Sequence, residues 1–197
     1  MKIKLILFVC FVATLNACQK DATKPISANI NSELAKTQEL KIGQHYAGGI
    51  IFYLTTDKKH GIVAAAADIN TDGIRWGYGI NYFDFTGATD TAFGKGKRNT
   101  KKIITTQGTT ITSDYAAHAC AKYKEGGFTD WFLPSQNELK MLYANKDAIG
   151  GFGSGAYWSS SELPSTASLA ICVNFNSGAV DWVNKNTWFR VRPVRYF

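Results

Sequence analysis

A dense run of basic side chains carries the clearest chemical signal in this sequence. A polymer bearing sulfate, phosphate or carboxylate groups can bind such a run by charge, and that contact should weaken steeply with salt. A solvated surface loop without a ligand is the alternative, because single charge runs are common. The sequence predicts a glycine-flanked loop here, with no acid inside it. Its five cations, within eight residues, are Lys95, Lys97, Arg98, Lys101 and Lys102.

Aromatic side chains form a second group of candidate ligand contacts. A long segment, 68–99, is rich in Gly, Asp and Asn and carries rings that can stack on sugars where they are exposed. A small local core beneath the segment is the alternative for most of these rings. Trp182 and Trp188 lie on predicted late strands beside amide and lysine side chains that can bind a hydroxyl or an acidic group. The ligand contacts predicted from this group are Trp76, Trp182, Asn184 and Lys185.

Signatures of catalysis are weak. His45, His60 and His118 are isolated from one another, and none belongs to a metal-binding histidine pattern. The glycines around Ser154 miss the spacing of a nucleophile elbow, and those around Lys95 miss the spacing of a phosphate loop. We therefore expect no catalytic residue, no metal ligand and no cofactor, although spacing alone does not test partners that are distant in the chain.

The N-terminal segment predicts export. Lys2 and Lys4 precede eleven almost wholly apolar residues, 5–15. That run is too short to span a bilayer and is typical of a secretory signal. We expect residues 1–17 to be removed as this signal.

A cysteine stands directly at the expected cleavage point. The sequence Leu15-Asn16-Ala17-Cys18 resembles the lipobox of bacterial lipoproteins, in which the cysteine is acylated and becomes the new N-terminus. Two or three acyl chains hold such a protein firmly on a membrane. Gln19 in the next position favours the outer membrane where the cell has one. The sequence therefore predicts an extracytoplasmic protein that is lipidated at Cys18.

Two cysteines remain for the mature domain, because Cys10 leaves with the signal. Outside the cytoplasm Cys120 and Cys172 can form one disulfide. They lie 52 residues apart, and closing such a loop removes roughly 4 kcal/mol of unfolded-chain entropy. Two separate buried thiols are the alternative, because each cysteine has apolar neighbours.

Composition excludes several classes of protein. The chain has 197 residues, of which 45% are hydrophobic and 19% charged, and this balance excludes collagen-like, disordered and coiled-coil proteins. Once Lys2 and Lys4 leave with the signal, 20 of the 22 basic residues face 15 acidic ones. This mildly basic balance does not indicate a nucleic-acid partner.

The elements that must position these candidates follow the order strands, helices, strands. We expect a hairpin at 48–67, an amphipathic helix at 114–124, and a second helix that starts with a capping box at Ser135-Gln136-Asn137-Glu138. This order predicts the α+β class. Four closing strands are predicted around 157–160, 169–175, 180–183 and 188–194, with a turn at 176–178.

Three arginines near the C-terminus have a predicted structural use. Arg190, Arg192 and Arg195 should pair with carboxylates such as Asp130 or Glu138 and hold the last strand in place.

Six motifs occur in order along the chain. They are Gly-Gly-Ile-Ile-Phe-Tyr-Leu (48–54), His-Gly-Ile-Val-Ala-Ala (60–65), Asn-Thr (99–100), Asp-Trp-Phe-Leu-Pro-Ser-Gln-Asn-Glu-Leu (130–139), Tyr-Trp-Ser-Ser-Ser-Glu (157–162) and Arg-Val-Arg-Pro-Val-Arg (190–195). Together they resemble the bacterial domain family typified by the C-terminal domain of the Legionella collagen-like adhesin. The resemblance covers residues 43–197 and leaves 18–42 as a lipidated, flexible tether.

The resemblance implies a C-type lectin-like fold, in which two helices flank antiparallel sheets and the terminal strands pair. It also implies binding at a cell surface. The Glu-Pro-Asn and Trp-Asn-Asp motifs of calcium-dependent lectins are missing from this sequence. We therefore expect a non-catalytic binding module for a glycan or an anionic surface polymer, or alternatively a protein-binding or structural component of a surface complex. The oligomeric state stays open.

Overall fold

The computed structural model describes residues 39–79, 83–110 and 112–197, so the predicted signal, Cys18 and most of the predicted tether lie outside the described residues. In that part of the chain, no helix has the length and apolar character needed to cross a membrane. The strands are β1 (His45–Tyr46), β2 (Gly49–Leu54), β3 (Gly61–Ala64), β4 (Ile74–Arg75), β5 (Ala156–Glu162), β6 (Leu169–Asn174), β7 (Val180–Asn184), β8 (Trp188–Phe189) and β9 (Val194–Tyr196). The helices are α1 (Gly96–Gln107), α2 (Ala116–Lys122), α3 (Gln136–Ala144) and α4 (Lys146–Ile149).

Three antiparallel sheets organise these strands. The first has the order β1-β2-β3-β9, the second pairs β4 with β8, and the third has the order β5-β6-β7. The predicted hairpin of β2 and β3 is confirmed, as is the turn that joins β6 to β7. The α+β class is therefore confirmed. The C-terminal strand joins the sheet of the N-terminal strands, where it pairs with β3.

In the third sheet β5 and β6 are largely buried on both faces, whereas β7 is partly exposed. Successive residues of a strand point to opposite faces, so Trp158 and Cys172 enter one core while Tyr157 and Val173 enter another. α1 and α2 cover the first core, and α3 with the first sheet covers the second.

Helix boundaries agree with the sequence where local signals exist. α2 lies within the predicted 114–124, and α3 begins with the predicted capping box, in which Ser135 and Glu138 cap each other. The described residues contain two further helices beyond the two that the resemblance implied. One of them, α1, replaces the loop that we predicted for the basic run.

Candidate functional site

The basic run is helical, and this corrects the predicted loop. Lys95 is the N-cap residue of α1, and the other four cations fall on its first two turns. Lys97, Arg98 and Lys101 are exposed, whereas Lys95 is half-buried. Lys102 is also half-buried, because its ammonium group donates a hydrogen bond to the carbonyl of Gly87. Three of the five cations are therefore exposed to solvent, and one of these, Lys97, also lies 3.8 Å from Asp130.

A groove of about 400 Å³ runs beside α1. Residues 97, 100, 101, 104 and 105 of the helix line it, and this spacing corresponds to one face of an α-helix. Lys97 and Lys101 supply charge on that face, while Ile104 supplies an apolar surface. The opposite wall comes from α2 and from the segment that precedes α3, and its lining residues are Ala121, Thr129, Asp130, Trp131 and Phe132.

Asp130 is the one acid in the groove lining, and it is already paired. Arg195 Nε lies 2.6 Å from its carboxylate, and Lys97 Nζ lies 3.8 Å away. The hydrogen bond from Arg195, with the charges of Arg195 and Lys97, holds the pKa of Asp130 below its ordinary value despite some burial. The positive charge of Lys101 is therefore not offset by a free acid in the groove.

The first turn of α1 is fixed by close packing against the start of α3. A Cβ atom at Gly96 would lie 2.8 Å from both the Leu133 carbonyl oxygen and the Ser135 nitrogen, which no side chain tolerates. One turn further on, the Thr100 hydroxyl accepts a hydrogen bond from the Leu133 N–H at 3.0 Å. Ile103 then buries its side chain completely. Packing thus positions the cationic face of α1 relative to the groove.

Glu138 ties three parts of the chain together beneath this helix. Its carboxylate accepts hydrogen bonds from Gly94 N (2.9 Å), Ser135 N (2.8 Å) and the Tyr196 hydroxyl (2.5 Å). Burial raises the pKa of Glu138, and these hydrogen bonds oppose that rise. The turn before α1, the N-terminus of α3 and the last strand therefore meet at one carboxylate.

Trp76 is not a surface contact, which corrects the prediction. Its side chain is fully buried, and its indole N–H donates to the Ser159 carbonyl at 2.8 Å. The alternative of a local core beneath the long segment holds for this ring. Trp131 and Trp158 are buried as well.

Lys185 is also fully buried, which corrects its assignment as a ligand contact. Its ammonium group lies 2.6 Å from Glu162 Oε2, donates to the Asp84 carbonyl at 2.9 Å, and sits 4.4 Å from the centre of the Trp76 ring. Of the predicted late-strand contacts, Trp182 remains exposed. Asn184 is half-buried, and its side-chain oxygen accepts from Asn186 N. The structure therefore does not assemble these residues into one site.

The C-terminal arginines pair with carboxylates, as predicted, but not with both of the expected ones. Arg195 pairs with Asp130. Arg190 and Arg192 share Asp68, with Arg192 Nε 2.7 Å from its carboxylate. Glu138 takes the Tyr196 hydroxyl rather than an arginine.

Cys120 and Cys172 are free thiols, both buried in the same core, so the disulfide that we considered is not formed. Burial raises the pKa of Cys120 well above its ordinary value and that of Cys172 to about 11. Within the described ranges, no group of three or more His, Cys, Asp or Glu side chains is arranged to hold a metal ion.

Comparison with known proteins assigns the family. No curated protein matches the chain. A sequence model of the Lcl C-terminal domain matches residues 67–195, about two thirds of the chain, and this range contains α1, the groove and the segments that hold both in place. This protein belongs to the Lcl C-terminal domain family.

Proposed function

We propose that this protein is a lipid-anchored, extracytoplasmic, non-catalytic binding module that holds an acidic glycan or another anionic surface polymer in the groove beside α1. The observation that carries the proposal is the placement of Lys97 and Lys101, one helical turn apart, in the lining of an apolar-floored groove of about 400 Å³. The α+β order supports the finer assignment to a C-type lectin-like fold.

The chemistry of the groove fits a charged sugar better than a simple ion. The ammonium groups of Lys97 and Lys101 can pair with carboxylates or sulfates on successive units, and Ile104 and Ala121 can contact the apolar C–H faces of the rings between them. The volume lies within the range of about 300–1,000 Å³ that is typical of small-molecule sites. Because the lysines are exposed, most of the affinity should be electrostatic and sensitive to salt.

The N-terminus of α1 has charges and a cap residue that lower the stability of the helix. Its first turn contains no acid, its N-cap residue makes no side-chain cap, and cations lie at the end where the helix dipole is already positive. Each unfavourable charge there costs about 0.3–1 kcal/mol. An anionic ligand would relieve this repulsion, so the arrangement supports a role in binding.

Binding of the full-length protein to dextran sulfate and to alginate, with neutral dextran as the matched uncharged polymer, tests the proposal. The double variant Lys97→Ser, Lys101→Ser should lose at least tenfold in affinity for one or both acidic polymers in 50 mM salt. The control variant Lys58→Ser, Lys59→Ser removes the same charge from the turn between β2 and β3 and should bind as the natural protein does. Equal losses in both variants, or no binding to either acidic polymer, would refute the groove as the site and favour a protein partner.

Anchoring has a separate test. Metabolic labelling with a radioactive fatty acid should label the natural protein, and Cys18→Ser should abolish the label and release the protein from the membrane fraction. Retention of the label in Cys18→Ser would refute lipidation at that cysteine.

A further inference from the structure

A second cleft, which shares no residue with the groove beside α1, lies next to an exposed tryptophan. It has a volume of about 230 Å³, the liquid volume of roughly eight water molecules. Three chain segments line it, and their residues are Thr71, Asp72 and Gly73, then Ser154, Gly155 and Ala156, and then Trp188, Phe189 and Arg190.

Trp188 is presented outward by a strand that is anchored in the core. Phe189, the next residue, packs on Trp158 with ring centres 4.7 Å apart. The Trp188 side chain is 56% exposed, and the guanidinium of Arg75 on the paired strand lies 5.0 Å from its ring centre. Strand pairing and this cation–π contact hold the ring in place at the edge of the cleft.

Small residues keep the cleft open. Gly73 has a φ of +86°, and a Cβ atom there would lie 3.0 Å from the backbone nitrogen and oxygen of Phe189. Across the cleft, Gly155 and Ala156 present little side chain. A larger residue at these positions would occupy the space beside the tryptophan ring.

The polar groups of the cleft differ from those of the groove beside α1. Asp72 is exposed, and no described residue donates a hydrogen bond to its carboxylate. Arg190 is held by bonds to the Ser154 carbonyl (3.1 Å) and to Asp68 (3.3 Å), the carboxylate that it shares with Arg192. The lining therefore offers a free acceptor, and its one cation, Arg190, is already bonded to protein groups.

We propose that this cleft binds one ring of a neutral sugar. The C–H groups on one face of a pyranose carry a slight positive charge and stack on the negative face of an aromatic ring, here Trp188. The hydroxyl groups at the ring edge donate to the Asp72 carboxylate. A carboxylate or sulfate placed beside Asp72 would be repelled by it, so the edge of the sugar ring that faces Asp72 must carry neutral hydroxyl groups.

Calorimetric titration of the full-length protein with cellohexaose and chitohexaose in 0.5 M salt tests the inference. At least one neutral hexaose should bind, and Trp188→Ala should weaken it at least tenfold, whereas Trp188→Phe retains a stacking face and loses less. Asp72→Asn should weaken binding at least threefold. Trp182→Ala is the matched control, because Trp182 is 51% exposed but does not line the cleft.

The outcomes separate this site from the groove beside α1. The double variant Lys97→Ser, Lys101→Ser should bind the neutral hexaose as the natural protein does, whatever happens to its binding of dextran sulfate. Failure of both hexaoses to bind the natural protein, or equal effects of Trp188→Ala and Trp182→Ala, would overturn the assignment.

Discussion

The ammonium group of Lys185 lies 2.6 Å from Oε2 of Glu162, and both side chains are fully buried. The same carboxylate accepts hydrogen bonds from the backbone N–H groups of Thr86 and Ala88, each at 2.9 Å from Oε1. Burial lowers the pKa of Lys185, and the charge of Glu162 opposes this. The ion pair therefore organises the segment that leads into α1, rather than standing alone in the core.

Removing the lysine should expose the cost of an unpaired buried charge. Lys185→Met should lower the free energy of unfolding by about 3–5 kcal/mol, because it leaves the Glu162 carboxylate without its cation. Urea denaturation at pH 7 measures the change. The double variant Lys185→Met, Glu162→Gln should recover part of the loss, since an amide needs no cation and still accepts from Thr86.

An exposed ion pair provides the control for this experiment. Lys122 lies 3.4 Å from Asp114, and its side chain is 59% exposed. Lys122→Gln should change the unfolding free energy by less than about 1 kcal/mol. A similar small effect for Lys185→Met would contradict the importance that we give to the buried pair.

Glu138 should contribute a pH dependence of a defined sign. Because burial raises its pKa in the folded state, the folded protein holds this proton more tightly than the unfolded chain does. Its contribution to stability is present below the unfolded pKa, about 4.3, and is lost as the pH rises through the folded pKa. Glu138→Gln should therefore gain stability relative to the natural protein between pH 4 and pH 7, as measured by urea denaturation.

Asp130 should contribute a pH dependence of stability with the opposite sign to that of Glu138. Its pKa is lowered by Arg195, so its contribution is present above the unfolded pKa and is lost as the pH falls through the folded one. Asp130→Asn should thus lose stability relative to the natural protein as the pH rises from 3 to 6. If the stabilities of Glu138→Gln and Asp130→Asn, each relative to the natural protein, changed in the same direction as the pH rises, the environments described for the two carboxyl groups would be wrong.

A single acid in the first turn of α1 should separate stability from binding. Arg98 is exposed and lies in the first turn, so Arg98→Glu should stabilise the helix by about 0.3–1 kcal/mol through its dipole. The same change should weaken binding of dextran sulfate. Thermal unfolding measures the effect on stability, and the polymer assay measures the effect on binding. A lower melting temperature for Arg98→Glu would show that the cations of the first turn do not destabilise the helix.

The two core thiols should be reduced, and in the native protein they should be inaccessible to an alkylating reagent. Alkylation of the native, unreduced protein should leave Cys120 and Cys172 unmodified, because both are buried and burial keeps them protonated. Alkylation in denaturant without reductant should modify both, as read by peptide mass spectrometry. Resistance in denaturant that reductant relieves would show a disulfide instead.

Local signals explain which parts of the fold were predictable. The capping box at Ser135 depends on residues three apart, and the hairpins depend on adjacent apolar runs and turn residues. α1 carries no such signal, because its N-cap makes no side-chain bond and its first turn contains no acid. Contacts with Leu133 and the burial of Ile103 stabilise it, and these come from distant parts of the chain.

The candidate site was predictable only in part, for a related reason. The exposed cations were correctly identified as one cluster, but the groove they line requires helical spacing and a second wall from 129–132. Lys185 lies between two asparagines, which suggested a surface position. Its partner Glu162 is the last residue of β5, and no spacing rule connects it with Lys185, which lies in the turn after β7.

The position of β9 has a consequence for how the protein is made. Val194 pairs with Ala64 and with Phe132, and Phe197 exchanges backbone hydrogen bonds with Gly61, so the final residues complete a sheet whose other strands lie near the start of the domain. Such contacts between distant parts of a chain form slowly. The sheet gains its fourth strand only once residues 194–196 have left the ribosome, so synthesis of the three earlier strands alone cannot complete it.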